Sequence, residues 1–331
     1  MMAFFGSRAK KLTSQPSLRL TSLIAVTFLV LLISQWRSAS AAAWINLARV
    51  FEMREHTWLG GQTAQDLVPA YLELASKQSP HGLADEILGD YYFRRARYAD
   101  ATVSLRRSRL VRPWAGWQLG FAFYQLGQTD QALSAWRTPG SVDWLVRYAR
   151  QVTDDRTADE LYLLALKVEP GHSQATHDLG IRYAYRALNA AFEDNDLKAR
   201  YWLSHATELQ IDDLTYAQLV SVTASRIGEY QLALNAALAG VRSFPDNDKI
   251  HYLAAVAYAK LGDHALAINQ YNEAIAVSAR KPIYQLALAE LYVRLDMIAE
   301  AKALYQAVYE SGDASYRARA AEALSRLHKG Q

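Results

Sequence analysis

The chain has 331 residues and a formal net charge of +3, with 51% hydrophobic residues, 21% charged residues and no cysteine. This composition is that of an ordinary globular protein and excludes a disordered or collagen-like chain. The lack of cysteine excludes disulfides, thiolate metal sites and cysteine nucleophiles. At about 100–200 residues per domain, the length predicts two or three domains or one elongated array.

The N-terminus has a charge pattern of its own. Residues 1–43 contain five basic and no acidic side chains, whereas the rest of the chain is close to neutral. Residues 20–36 form an uncharged, mainly apolar stretch of 17 residues, at the short end of the ~17–25 that span a bilayer. Because basic residues precede this stretch, we expect a basic cytoplasmic tail over 1–19 and a single-pass transmembrane signal anchor over 20–36. The remainder would then lie outside the cytoplasm.

Two other interpretations of this segment stay open. A cleaved signal peptide also has a basic start and an apolar centre, and Ala39-Ser40-Ala41 offers a small-residue exit. A helix buried in a protein core is the other alternative. The length of the apolar stretch favours a retained anchor over a cleaved and secreted form.

A repeated pattern follows the N-terminal segment. A Leu-Gly pair recurs at 88–89, 119–120 and 179–180, and an aromatic residue follows each glycine by three positions. Further along, alanines recur at intervals of 34 residues: Ala199, Ala233, Ala267 and Ala301. A period of this length indicates stacked units, because one helical hairpin cannot bury its apolar face alone.

The pattern resembles that of the tetratricopeptide repeat family over nearly all of residues 82–315. The clearest copies are 82–113, 214–245 and 248–279. The resemblance implies an all-α fold, a right-handed superhelical solenoid of helix–turn–helix repeats, here preceded by one transmembrane helix. It also implies a surface that binds protein or peptide partners.

Three regions depart from the regular repeat. We expect a linker helix and a divergent helical pair over 37–81, before the array starts. Gly180 and Ala199 are farther apart than the equivalent residues of the first copy, which predicts an insertion near 186–197 that lengthens one hairpin. The pattern of residues 316–331 predicts a polar C-terminal capping helix, which the end of a solenoid requires.

Motifs of enzymatic chemistry are largely absent from the sequence. It contains no G-x-S-x-G, phosphate-binding G-x-x-x-x-G-K-[ST], G-x-G-x-x-G or H-E-x-x-H motif. We therefore expect no catalytic residue, no cofactor and no metal site.

An aromatic stripe is the main candidate for partner binding. In the family, the first helix of each repeat lines the concave groove, and the corresponding positions of the copy starting at Pro113 are Trp114, Trp117, Phe121 and Tyr124. Their spacings of three, four and three also place them on one helix face, independently of the family. The same positions of the preceding copy are Leu83, Glu86, Asp90 and Phe93, and those of the degenerate copy that follows are Asp143, Arg147 and Arg150.

The predicted groove set adds the neighbouring Arg94 to the aromatic and charged residues. It comprises Phe93, Arg94, Trp114, Trp117, Phe121, Tyr124, Asp143, Arg147 and Arg150. An aromatic strip between charged flanks is typical of peptide recognition. The alternative is that the strip packs against a neighbouring helix as core.

A cluster of arginines lies in the first copy. It comprises Arg94, Arg95, Arg97, Arg106, Arg107, Arg109 and Arg112. Such a cluster can bind an acidic partner, lipid phosphates or nucleic acid. We prefer a solvated outer face, and we expect no nucleic-acid partner because export of this part of the chain removes access to DNA.

Together these features predict a non-enzymatic scaffold or adaptor. It would bind protein partners through its groove, for the assembly or stability of a membrane or envelope complex. The alternative is a regulatory subunit of a cell-surface polysaccharide or glycan synthesis and export system. Both functions are implied by resemblance to anchored tetratricopeptide proteins, and a fold by itself does not determine a function.

Overall fold

The computed structural model describes residues 16–55, 61–78, 82–108, 112–311 and 313–329. Within these ranges it contains seventeen α-helices and no strand, which confirms the predicted all-α class. The helices are α1 (Pro16–Glu55), α2 (Gly61–Gln78), α3 (Leu83–Arg94), α4 (Tyr98–Arg107), α5 (Pro113–Gln125), α6 (Thr129–Trp136), α7 (Ser141–Ala149), α8 (Asp155–Val168), α9 (Ser173–Phe192), α10 (Asp196–Glu208), α11 (Leu214–Arg226), α12 (Tyr230–Ser243), α13 (Asp248–Leu261), α14 (His264–Val277), α15 (Pro282–Arg294), α16 (Ile298–Ser311) and α17 (Ala314–Lys329).

The chain divides into two compact units. The first comprises residues 1–152 and 167–169, and the second comprises residues 153–166 and 170–331. Helices α1 to α7 therefore belong to the first unit, and most of α8 together with α9 to α17 belongs to the second.

The predicted N-terminal anchor lies largely outside the described residues. The tail over 1–15 is not described, nor are the side chains of residues 16–29 and 32. The backbone from Pro16 onwards lies in α1, which continues through the predicted linker helix to Glu55. Among the residues that the structure describes, no helix is long and apolar enough to cross a membrane. The anchor therefore stays a prediction.

Helix α2 forms the divergent pair with the C-terminal part of α1. The Tyr71 ring of α2 stacks between two aromatic rings of α1, with centroid distances of 5.6 Å to Trp44 and 5.5 Å to Phe51. Buried Ile45, Val68 and residues of α3 to α5 extend this contact into one apolar core. The divergent pair thus covers the apolar face that the first repeat would otherwise expose.

In the first unit, the paired helices α3 and α4, and α5 and α6, approach each other closely. Gly120 of α5 faces Trp136 of α6, and a Cβ atom at Gly120 would lie 2.3 Å from the indole nitrogen. Gly89 of α3 has the same relation to Leu105 of α4. The indole of Trp136 is fully buried and donates a hydrogen bond of 3.2 Å to the Trp117 carbonyl oxygen. In the first unit, the Leu-Gly pairs at 88–89 and 119–120 therefore mark the points where a large side chain of the second helix packs directly against the backbone of the first.

Buried alanines recur at regular intervals in the second unit. The four alanines at 34-residue intervals are fully buried, each in the second helix of its pair. Tyr271 of α14 and Tyr305 of α16, four residues after their alanines, are also buried. The predicted repeat is thus a real packing repeat of helical hairpins within this unit.

The second unit contains one long hairpin and ends with a separate final helix. Helix α9 has 20 residues, compared with 13 in α5, and its hairpin turns at residues 193–195. Phe192 and Leu197, on either side of this turn, are exposed. The final helix, α17, starts two residues before the predicted cap, where the Asp313 carboxylate accepts hydrogen bonds from the backbone N–H groups of Ser315 and Tyr316.

Two buried carboxyl groups on α3 lie against half-exposed arginines. Asp85 pairs with Arg107 at 3.2 Å, and Glu86 pairs with Arg112 at 3.5 Å. Glu86 is 1% exposed, and neither of its carboxyl oxygens accepts a hydrogen bond from a residue that the structure describes. Burial raises the pKa of Glu86, and nearby Asp90 adds to this rise while Arg112 opposes it. The ionised form of Glu86 therefore destabilises the fold.

Replacement of Gly120 by alanine tests the close approach of α5 to α6. We expect Gly120→Ala to lower the free energy of unfolding by about 1–3 kcal/mol, because the added methyl group overlaps the Trp136 indole. Urea unfolding measures the free energy of unfolding of the variant and of the native chain. Gly171→Ala is the matched control, since a Cβ atom added at Gly171 would have no neighbour within 4 Å. Equal stabilities of the two variants would show that the two helices do not approach so closely.

Replacement of Glu86 by glutamine tests the buried carboxyl group. Because the pKa of Glu86 is raised in the folded state, its protonated form stabilises the protein below the unfolded pKa, and this stabilisation is lost as pH rises through the folded pKa. Unfolding at pH 4 and pH 7 should therefore show Glu86→Gln gaining stability over the native chain at pH 7, by about 1 kcal/mol. The exposed Glu160→Gln is the control, and an identical pH response of both variants would contradict the expectation.

Candidate partner-binding surface

Aromatic side chains of the first unit form a connected cluster, and we call seven of them the aromatic surface. They come from α3, α4, α5 and α7, and they are Phe93, Tyr98, Trp117, Phe121, Tyr124, Trp144 and Tyr148. Helix α5 contacts both α3 and α7, so its side chains occupy the centre of the cluster.

Phe121 is the centre of this cluster. Its ring centroid lies 4.8 Å from that of Tyr148 and 5.8 Å from that of Phe93, both in edge-to-face geometry. Phe121 is only 5% exposed, so it supports the cluster from inside and does not present its ring to solvent. At this position of the predicted stripe, the structure matches the core interpretation.

Trp117 lies between the buried centre and the outer edge. Its ring stacks on Phe121 at 5.9 Å and also contacts Trp144 at 6.2 Å. The indole Nε1 is buried without a hydrogen-bond acceptor among the described residues. A buried donor without an acceptor is rare in folded proteins, because its desolvation is costly.

Trp144 is the most accessible part of the aromatic surface. It is 38% exposed, and the guanidinium of Arg147 lies 4.9 Å from its ring centroid. Arg147 is itself exposed. An exposed tryptophan with an arginine on its face combines two residue types that dominate binding hot spots.

The other predicted groove residues divide between several environments. Tyr124 is half-buried and contacts Phe121 at 6.1 Å, so it extends the aromatic surface along α5. Trp114 is half-buried too, but it packs against the apolar core shared by α1 to α5. Asp143 on α7 and Arg150, the residue that follows this helix, are exposed. The structure thus brings Phe93, Trp117, Phe121 and Tyr124 together through ring contacts, and Trp114 forms no ring contact with these described residues.

Arg94 has a structural role in this unit. Its guanidinium pairs with Glu52 of α1 at 2.6 Å and with Asp90 at 3.0 Å. Asp90 also accepts a hydrogen bond of 2.8 Å from the Gln118 side chain of α5. These polar contacts join α1, α3 and α5 beside the aromatic surface.

Other members of the arginine cluster lie on aromatic rings of their own unit. Arg95 lies 3.7 Å from the Tyr91 ring centroid, Arg97 lies 4.6 Å from that of Tyr92, and Arg106 lies 5.7 Å from that of Phe123. Arg109 lies outside the described residues. These cation–π contacts account for much of the basic cluster without a bound anion.

Sequence reasoning missed three aromatic residues of the surface. Tyr98 belongs to α4, and its contact with Phe93 at 5.9 Å crosses the first hairpin. Trp144 and Tyr148 lie in a repeat that departs from the family pattern, which hid them. Their spacing of four residues on one helix, with Arg147 between them, is the signal that could have found them.

Candidate metal sites are absent from the described part of the chain, which brings together no group of three His, Asp or Glu side chains able to hold an ion.

Comparisons with known proteins identify similar helical-repeat structures. No family model matches the chain, and no curated protein matches it. A tetratricopeptide protein of Thermus thermophilus is 22% identical, with 64% of this chain and 99% of that chain covered and a TM-score of 0.37. The C-terminal part of a tetratricopeptide protein of Cytophaga hutchinsonii is 14% identical, with 69% and 96% covered and a TM-score of 0.42.

A third similar structure is residue 41 to the end of MamA from Desulfovibrio magneticus RS-1. It is 17% identical, with 71% of this chain and 99% of that chain covered and a TM-score of 0.29. At these identities and scores the comparisons carry no argument about a binding site or a partner. Two of the three similar structures are tetratricopeptide repeat proteins by their own descriptions, the family whose pattern this sequence resembles.

Proposed function

We propose that the chain is a non-enzymatic scaffold that binds a protein partner through the aromatic surface of its first unit. The observation that carries this proposal is Trp144, which is exposed beside Trp117 and Tyr148 and has Arg147 on its ring. Tryptophan, tyrosine and arginine are enriched at binding hot spots, and the two aromatic residues bury large areas at a low cost in conformational entropy.

The arrangement of the surface suits an apolar partner segment. Phe121 is buried at the centre of the surface, so the half-buried and exposed rings around it rest on a packed support. Rings held in place before binding lose less freedom when a partner docks. The buried Trp117 Nε1 has a hydrogen to donate, and a partner carbonyl oxygen that reached it would fill the missing acceptor position.

The membrane setting of the proposal rests on the sequence. The uncharged stretch over 20–36 follows a basic tail, a pattern typical of a signal anchor with its N-terminus in the cytoplasm. The repeats would then act outside the cytoplasm, where they would assemble or stabilise a membrane or envelope complex.

Photo-crosslinking from position 144 tests the aromatic surface. A benzoylphenylalanine residue at position 144, in the full-length chain in membranes of its native host, should crosslink one protein that mass spectrometry identifies. The same residue at the exposed Tyr309 of the second unit is the matched control. We expect Trp144→Ala to lower recovery of that partner at least tenfold, while the melting temperature changes by no more than about 2–4 °C.

A comparison with Trp136 separates binding from folding. Trp136→Ala removes a fully buried ring and should destabilise the protein by about 3–5 kcal/mol. If Trp144→Ala lowers the melting temperature as much as Trp136→Ala does, the exposed tryptophan is a core residue. If crosslinking from 144 and from 309 recovers the same proteins, the aromatic surface is not the binding site.

Protease accessibility tests the membrane topology. Protease added to intact spheroplasts should digest residues 44–331 and leave the N-terminal tail protected, because the basic residues retain the tail in the cytoplasm. Immunoblots against a tag at each end of the chain measure which part the protease digests. Protection of the C-terminal tag until detergent is added would reverse the proposed topology, and release of a shortened soluble chain would show cleavage.

A further inference from the structure

A cleft in the second unit lies between α8 and α10. Its volume is about 510 Å³, within the range of about 300–1,000 Å³ that is typical of ligand sites. Five of its described lining residues belong to α8, one belongs to α9 and one belongs to α10. None of them belongs to the aromatic surface. Because α8 and α10 supply most of the lining, this cleft differs from a groove lined by the first helices of successive hairpins.

A network of charged side chains joins α8 to α9 at the cleft. Asp159 of α8 is buried, and its two carboxylate oxygens accept hydrogen bonds from Arg182, at 2.9 Å, and from Arg186. Asp155 pairs with the same two arginines, at 2.5 Å to Arg182 and 3.5 Å to Arg186. The guanidinium of Arg186, which lines the cleft, is therefore held in place before any ligand binds, and this lowers the entropy lost on binding.

Trp202 of α10 supplies the aromatic part of the lining. Its ring centroid lies 4.8 Å from the guanidinium of Arg186 and 5.4 Å from the ring centroid of the buried Tyr183. Trp202 is half-buried, and the exposed Leu163 of α8 lines the same cleft. The cleft thus combines an apolar patch with a guanidinium group in a fixed position.

Two exposed side chains of α8 add one unpaired charge of each sign. Arg156 and Glu160 both line the cleft, and neither forms an ion pair with a described residue. Together with Arg182, which pairs with both aspartates, the cleft has three guanidinium groups and three carboxylates. Its charges therefore balance, so a charged ligand gains no advantage from the overall electrostatic field.

The hydrogen-bonding groups of the cleft indicate the class of ligand. Carboxylates only accept hydrogen bonds and guanidinium groups only donate them, whereas each hydroxyl group of a sugar does both. A sugar ring also carries C–H groups that pack against the face or edge of an aromatic side chain. We infer that this cleft binds a neutral saccharide, with its hydroxyl groups at Arg156 and Glu160 and its C–H groups against Trp202. The inference does not depend on the aromatic surface, and either site can fail while the other binds.

Calorimetric titration of oligosaccharides into the full-length chain tests the cleft. The detergent is octaethylene glycol dodecyl ether, because alkyl glycoside detergents carry sugars of their own. The probes are neutral hexasaccharides of glucose, mannose and N-acetylglucosamine, with hexagalacturonate as the acidic reference and hexaglucosamine as the cationic reference. At least one neutral hexasaccharide should bind saturably, and at least tenfold more tightly than either charged reference. Added salt should leave its affinity nearly unchanged, because a neutral ligand has no charge to screen.

The double variant Arg156→Ala with Glu160→Ala should weaken binding of the neutral hexasaccharide at least tenfold. Glu273→Ala with Arg317→Ala is the matched control, since it removes one charge of each sign from exposed helical positions of the same unit that do not line the cleft. Alanine favours a helix at all four positions, so circular dichroism should give the same helical signal for both variants. Equal binding by the two variants, tighter binding of a charged reference, or no saturable binding of the neutral hexasaccharides would overturn the inference.

Discussion

The close approach of paired helices is the constraint on which the rest of the structure depends. Where α5 meets α6, the hydrogen of Gly120 leaves room for the whole indole of Trp136. In the second unit, the buried Ala255 of α13 and Tyr271 of α14 lie in one core cluster. Interiors pack at crystal-like density, so small and large side chains must alternate across each pair of helices.

This constraint also determines which face of α5 remains for other contacts. One face is occupied by Trp136 and, at Gly116, by the Ser141 and Thr138 side chains at the start of α7. The opposite face carries Trp117 and Phe121, which meet aromatic rings of α3 and α7. The aromatic surface therefore exists because α5 has two apolar faces and the repeat packing uses one of them.

Many charged residues of the first unit contact other residues of the same unit. Arg94 and Asp90 join helices of the first unit, and Arg95, Arg97 and Arg106 lie on its tyrosine and phenylalanine rings. A basic cluster in the sequence thus becomes part of the fold. In the second unit, Arg319 of α17 pairs with Glu290 of α15, and Arg326 pairs with Glu322 of its own helix.

The sequence by itself determined the helical repeat. The period of small and bulky residues, the mid-unit glycines and the extra residues before Ala199 are local signals, because each depends on the contact between neighbouring helices. Even the turns follow this pattern: Gly127, Gly228 and Gly262 all have positive φ. The start of α17 lies two residues from the predicted start of the capping helix for the same reason.

Only the tertiary structure decided which side chains share a surface. A single helix face at Trp114, Trp117, Phe121 and Tyr124 did not reveal that Trp114 joins the α1 to α5 core, or that Phe121 is buried by Tyr148. Trp144 lies in an irregular repeat. A cleft of the second unit, lined by α13 to α17, combines side chains up to 75 residues apart in the sequence. Exposure depends on what covers a face, and the covering residues come from helices whose contacts the spacing of one helix cannot specify.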